Sequence, residues 1–134
     1  MNGKIRISNG VKKIEVNDDG EFILLPVSDD GFVLSFYRLM EDIKKRGNEL
    51  SGEIGGEETV DSVEKIVAVE REIKQKVDAL FGDGTCKKVF GDILPSMDLF
   101  VEFFGSLVPF LEEYKNERTA KMEKYNAGRT GSAV

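Results

Sequence analysis

Phe100, Phe103, Phe104, Leu107, Leu111 and Tyr114 recur at three- and four-residue spacing, which puts them on one side of a helix. Met122 and Tyr125 prolong the stripe, while Asp98, Glu102 and Glu113 fall behind it. An aromatic face of this size must be covered, so the rest of the chain has to supply a surface for it to lie on. Pro95 suits the first turn, where its missing N–H would have no partner. Pro109 falls on the polar back, and its ring opposes the carbonyl of Gly105 four residues earlier. This predicts a kink that bends the helix around whatever the stripe covers.

The covering surfaces are sought upstream. Phe32, Phe36, Leu39, Met40 and Ile43 mark a helix that starts after the capping oxygens of Ser28, Asp29 and Asp30 and stops at Gly47. Residues 48–57 hold Gly52, Gly55 and Gly56 among acids and predict a mobile loop. A further helix, capped by Thr59 or Asp61, carries Val63, Ile66, Val67, Ile73, Val77, Leu80 and Phe81 on about half its circumference. Gly82 ends it, and residues 85–90 form a short corner helix closed by Gly91.

Before the helices the period changes to two. Residues 4–8 alternate Lys-Ile-Arg-Ile-Ser, Asn9-Gly10 follows, and residues 11–16 alternate again. Asn-Gly between alternating runs predicts a hairpin with a type I′ turn. After Asn17-Asp18-Asp19-Gly20, residues 21–27 read as a third strand, with Pro26 at an unpaired end or edge. The fold class that follows is α+β: a small N-terminal antiparallel β-meander of about three strands packed with about four α-helices, the last long and kinked. Residues 1–125 make a single domain, and 126–134, small and polar, a disordered tail.

The formal net charge is −6, and ten acids against five bases fall between Glu41 and Glu72. A chain so charged is ill suited to nucleic acid or to anionic membranes. Asp98 and Glu102 interrupt the one run long enough to span a bilayer. The first six residues lack the apolar core of a secretory signal. Together with a lone cysteine this predicts a cytoplasmic protein.

There is no histidine, the commonest general acid-base group. Cys86 has Lys87 and Lys88 beside it but no imidazole to activate it. Gly82-Asp83-Gly84-Thr85 lacks the Gly-Lys-Ser/Thr of a phosphate loop and reads as two helix caps. The run from Glu15 to Gly20 begins like a calcium loop, but Pro26 stands where the bidentate glutamate belongs. No catalytic residue, cofactor or metal site is expected. The apolar faces exceed what one small core would hide, so part of the aromatic stripe, or the second face of the meander, is a candidate interaction surface.

Residues 78–125 carry a recognisable order: Ala-Leu-Phe-Gly-Asp-Gly-Thr-Cys-Lys-Lys-Val-Phe-Gly-Asp, then Pro95, a Phe-rich helix, Tyr-Lys-Asn-Glu-Arg and Lys-Tyr. This resembles small proteins of tail modules in siphophages and prophages of Gram-positive bacteria, regarded as tail assembly chaperones. The resemblance implies a non-enzymatic protein in the bacterial host cytoplasm. Such a protein coats the tape measure protein until tail-tube subunits, the major tail protein, replace it, and it self-associates. The partner-binding set then expected is Phe100, Phe103, Phe104, Leu107, Phe110, Leu111 and Tyr114, together with a strand edge. The alternatives are a structural virion or head-tail completion protein, and a small ligand-binding domain or enzyme using Cys86.

Overall fold

The computed structural model describes the backbone of residues 2–54, 56 and 58–132, and their side chains except at 53, 54 and 128–132. Two strands, β1 (Val11–Glu15) and β2 (Phe22–Pro26), precede four helices: α1 (Asp30–Ile54), α2 (Val60–Phe81), α3 (Thr85–Phe90) and α4 (Met97–Ser132). The fold is α+β, a small antiparallel sheet packed with helices.

The sheet has two strands, where three were expected. β1 and β2 pair antiparallel with Ile14 opposite Ile23 and Lys12 opposite Leu25, and Ile23 and Leu25 are buried. Residues 4–8 alternate as a strand would but are not paired. The physical reason lies at Asn9. A type I′ turn needs positive φ at both central residues, and Gly10 has it, at 72°, while Asn9 does not. Instead the Asn9 side chain accepts the Val11 N–H at 3.1 Å, and the Ser28 hydroxyl donates to the Asn9 carbonyl. Gly10 lies so close to Ser28 and to the Tyr114 ring that a Cβ there would meet both at 3.2 Å.

Asn17 closes the β1–β2 turn and docks it. Its Oδ1 accepts the N–H groups of Asp19 and Glu21, and its Nδ2 donates to the Lys88 carbonyl of α3 at 3.0 Å. Lys88 Nζ in return donates to the Phe22 carbonyl. The two bonds fix the hairpin to the corner helix.

Asp29 caps α1 by accepting the Phe32 N–H at 3.1 Å. The helix then buries Phe32, Phe36, Leu39, Ile43 and Leu50 along one stripe. It does not stop at Gly47 but runs to Ile54, so a helix replaces most of the expected loop. A glycine inside a helix costs about 1 kcal/mol relative to alanine, and burial of Leu50, worth about 2 kcal/mol, offsets it. Residues 55 and 57 of that expected loop lie outside the described residues. Thr59 and Ser62 form a reciprocal capping box at the start of α2. α2 runs antiparallel to α1, as ion pairs from Arg46 to Glu72 and from Asp42 to Lys76 require.

α4 starts at Met97, two residues after a fully buried Pro95, with the Ser96 carbonyl accepting from Leu99 and Phe100. It continues through Pro109, which is exposed as expected of the polar back. It also continues through residues 126–132, where a disordered tail was expected; residues 133 and 134 lie outside the described residues.

Candidate functional site

The aromatic stripe is the core of the molecule. Phe100 and Phe104 are fully buried, and Phe103, Leu107 and Leu111 are at most 8% exposed. Phe104 meets Phe36 of α1 at 4.9 Å between ring centroids, Phe103 meets Phe81 of α2 at 5.3 Å, and Phe100 meets Phe90 of α3 at 5.5 Å. The last two pairs are edge-on, at 62° and 75° between ring planes, and the first is tilted at 31°; edge-on packing is favourable beyond the area it hides. Five of the seven residues expected to bind a partner are therefore covered by their own chain. Phe110 and Tyr114 are half-buried at the end of the stripe, Tyr114 against Gly10. Sequence spacing could not show this cover, because Phe36, Phe81 and Phe90 come from three separate elements and no spacing rule shows that they converge on one face.

Cys86 is buried, 1% exposed as a residue. Its backbone N–H donates to Asp78 Oδ1 at 2.9 Å, and its Sγ lies 3.7 Å from the Lys74 carbonyl oxygen. Burial first, and the Asp78 carboxylate second, push the thiol up to about 12. It stays protonated at neutral pH, which removes the nucleophile that an enzyme using Cys86 would need. The neighbouring turn is likewise fully used. The Gly82 N–H donates to the Asp78 carbonyl, and both the N–H and the hydroxyl of Thr85 donate to the Gly82 carbonyl. Asp78 already occupies the start of α3, where an anion would bind. Among the described residues no group of three or more Asp, Glu, Cys or His could hold a metal ion, and no helix is long and apolar enough to cross a membrane.

What remains open is on the hairpin and on α2. The outer side of the sheet presents Val11, Phe22 and Leu24, the last 53% exposed, with the Lys13 ammonium 4.0 Å from the Phe22 ring centroid. The bond from the Val16 N–H to the Glu21 carbonyl fixes which residues turn inward. By the two-residue alternation, the N–H and C=O groups of Lys13 and Glu15 point away from β2. They have no partner among the described residues, whereas on the other border Phe22 is held by Lys88 and the Pro26 carbonyl accepts from Asp29. β1 is thus an unprotected strand border beside an apolar face. The sequence reading had covered this border with residues 4–8, and it is open because those residues do not pair.

A second exposed surface, along Val60, Val63 and Val67 of α2, was not. Its signal is an apolar arc on that helix wider than a single packing seam can cover.

Neither the curated proteins nor the solved structures compared with this chain contain a match. A family described as a family of unknown function, DUF6673, matches residues 25–132, from the second half of β2 through all four helices. With most of its length inside that match, the chain belongs to the DUF6673 family.

Proposed function

We propose that this chain is a non-enzymatic phage tail assembly chaperone, which binds the tape measure protein in the bacterial cytoplasm and associates with copies of itself. The observation that carries this reading is the bare outer border of β1, where the backbone groups of Lys13 and Glu15 have no partner beside the exposed Val11, Phe22 and Leu24. An open strand border with an apolar flank takes up an extended segment of another chain. Main-chain bonds give such binding its strength, and the flanking side chains its selectivity. The likeness of residues 78–125 to tail assembly chaperones supplies the partner. The protonated, buried Cys86 also supports a binding role over a catalytic one.

Co-expression with the tape measure protein, followed by pull-down, tests the proposal. The expected result is a stable complex and a larger soluble yield of the tape measure protein. Lys13→Pro removes one outward N–H without touching the β1–β2 bonds, and should lower capture at least about tenfold. Absence of any complex, with no gain in solubility, would count against the proposal. So would finding the protein in purified virions, where an assembly chaperone has no place.

A further inference from the structure

An open groove runs along the first half of α2. Val60, Val63 and Val67 line it, Val60 75% and Val63 40% exposed, and Glu58 and Glu64 stand along it while Arg71 marks one end. Neither Glu58 nor Glu64 forms an ion pair among the described residues. The residues before β1 have the opposite character. Ile5 and Ile7 are 87% and 86% exposed, and they alternate with Lys4 and Arg6, two bases with no acidic partner among the described residues. One surface is apolar and acidic, and the other segment is apolar and basic.

We propose that this N-terminal arm lies in the α2 groove of a second copy of the chain, with Ile5 and Ile7 on the valines and Lys4 and Arg6 against Glu58 and Glu64. The spacings suit one another. Alternate residues of an extended arm are about 6.7 Å apart, and Val63 and Val67 are about 6 Å apart along a helix. Opposite charge on the arm and on the groove favours their encounter.

The groove cannot be filled by the arm of the same copy. Gly10 is held against Ser28, two residues before α1 begins. The pairs Asp42–Lys76 and Arg46–Glu72 set the levels of the two helices, so Val67 lies opposite the last turns of α1. That level is about 30 Å along the helix from Asp30. An arm from Gly10 to Lys4 spans at most about 20 Å at full stretch. Only another molecule can bring an arm to the groove. Reciprocal exchange between two copies closes a dimer, and unreciprocated exchange makes an open chain of copies.

The proposal deepens the self-association named above and rests on it, but not on capture of the tape measure protein. Sedimentation of the full chain over a range of concentrations, at low and at high salt, tests it. The wild type should associate, less strongly at high salt. Lys4→Glu with Arg6→Glu should weaken association by about tenfold or more, as should Glu58→Lys with Glu64→Lys, and a chain carrying all four changes should regain it. These positions are exposed, so unchanged melting of each variant shows that the fold is intact. A wild type that is monomeric throughout, or one whose association ignores both reversals, overturns the inference. If the arm-reversed chain is monomeric yet still captures the tape measure protein, the groove is the contact between copies and the β1 border a separate one. Failed capture with intact, charge-dependent association overturns only the proposed function.

Discussion

The carboxyl group of Glu70, at the middle of α2, faces the backbone N–H of Met97, the first residue of α4, and that N–H favours its charged form. A buried carboxyl group thus stands at a helix start, whose first N–H groups have no partner within the helix. The contact joins two helices far apart in sequence, and its charge state bears on stability.

Burial raises the Glu70 pKa above its ordinary value; the Met97 N–H pulls it down and Asp98 pushes it further up. A raised folded-state pKa favours the protonated form in the fold. The resulting stabilisation is fully present below the unfolded pKa and is lost as pH rises through the higher folded value. Glu70→Gln keeps an acceptor oxygen without the charge. It should therefore gain stability relative to wild type as pH rises through the acidic range and hold that gain at neutral pH, as denaturant titrations at several pH values would read. Glu70→Ala removes the carboxyl group that faces the Met97 N–H and should be less stable than Glu70→Gln at every pH.

Phe104→Ala removes a fully buried ring in contact with Phe36, Phe81 and Phe103. A loss of about 3–5 kcal/mol is expected in chemical unfolding. Leu24→Ser, on the exposed side of the sheet, should stay within about 0.5–1 kcal/mol of wild type. If the two substitutions cost the same, the division between core and open face drawn from the burial pattern is wrong.

Cys86 should resist thiol reagents in the native protein and react at once in denaturant. With a pKa pushed to about 12, the reactive thiolate is on the order of one molecule in ten thousand or fewer near neutral pH, before burial slows access further. Rapid labelling of the folded chain would show that the helix corner opens readily.

Asn17→Ala removes two turn hydrogen bonds and the link to the Lys88 carbonyl. A loss of about 1–3 kcal/mol is expected, with the backbone amides of β1 and β2 losing protection in hydrogen exchange before those of α1 and α2. Uniform loss across all elements would mean that the hairpin and helices unfold as one unit.

Much of this architecture could be read from spacing alone. The stripes of α1, α2 and α4 lie where their apolar residues recur, Thr59 caps α2, and the glycines at 82 and 91 end helices. The differences have local causes that no pattern carries. Asn9 uses its side chain on Val11 and so withholds the backbone shape that a tight hairpin needs. Leu50 finds a place in the core and draws helix through Gly47. For the candidate site, alternation pointed the other way: it paired residues 4–8 with 11–16 and so covered the border of β1 that the structure leaves open. How much of the aromatic stripe of α4 is core could not be read, because a helix pattern shows which side is apolar and not what lies on it. The α2 groove went unseen because Val63 and Val67 were grouped with Ile73 and Val77 on one broad apolar face, only part of which is buried.

α4 touches α1 as far out as Arg118, whose guanidinium lies 3.1 Å from the carboxylate of Asp30. Beyond it the helix continues to Ser132, and the side chains through Ala127 are all exposed. That outer stretch is close to the shortest length at which a helix holds together in water by its own propensity. Its winding should follow a helix–coil equilibrium separate from the melting of the body. Cooling would lengthen it and warming unravel it turn by turn from the far end, while the packed rings at its root stay in place.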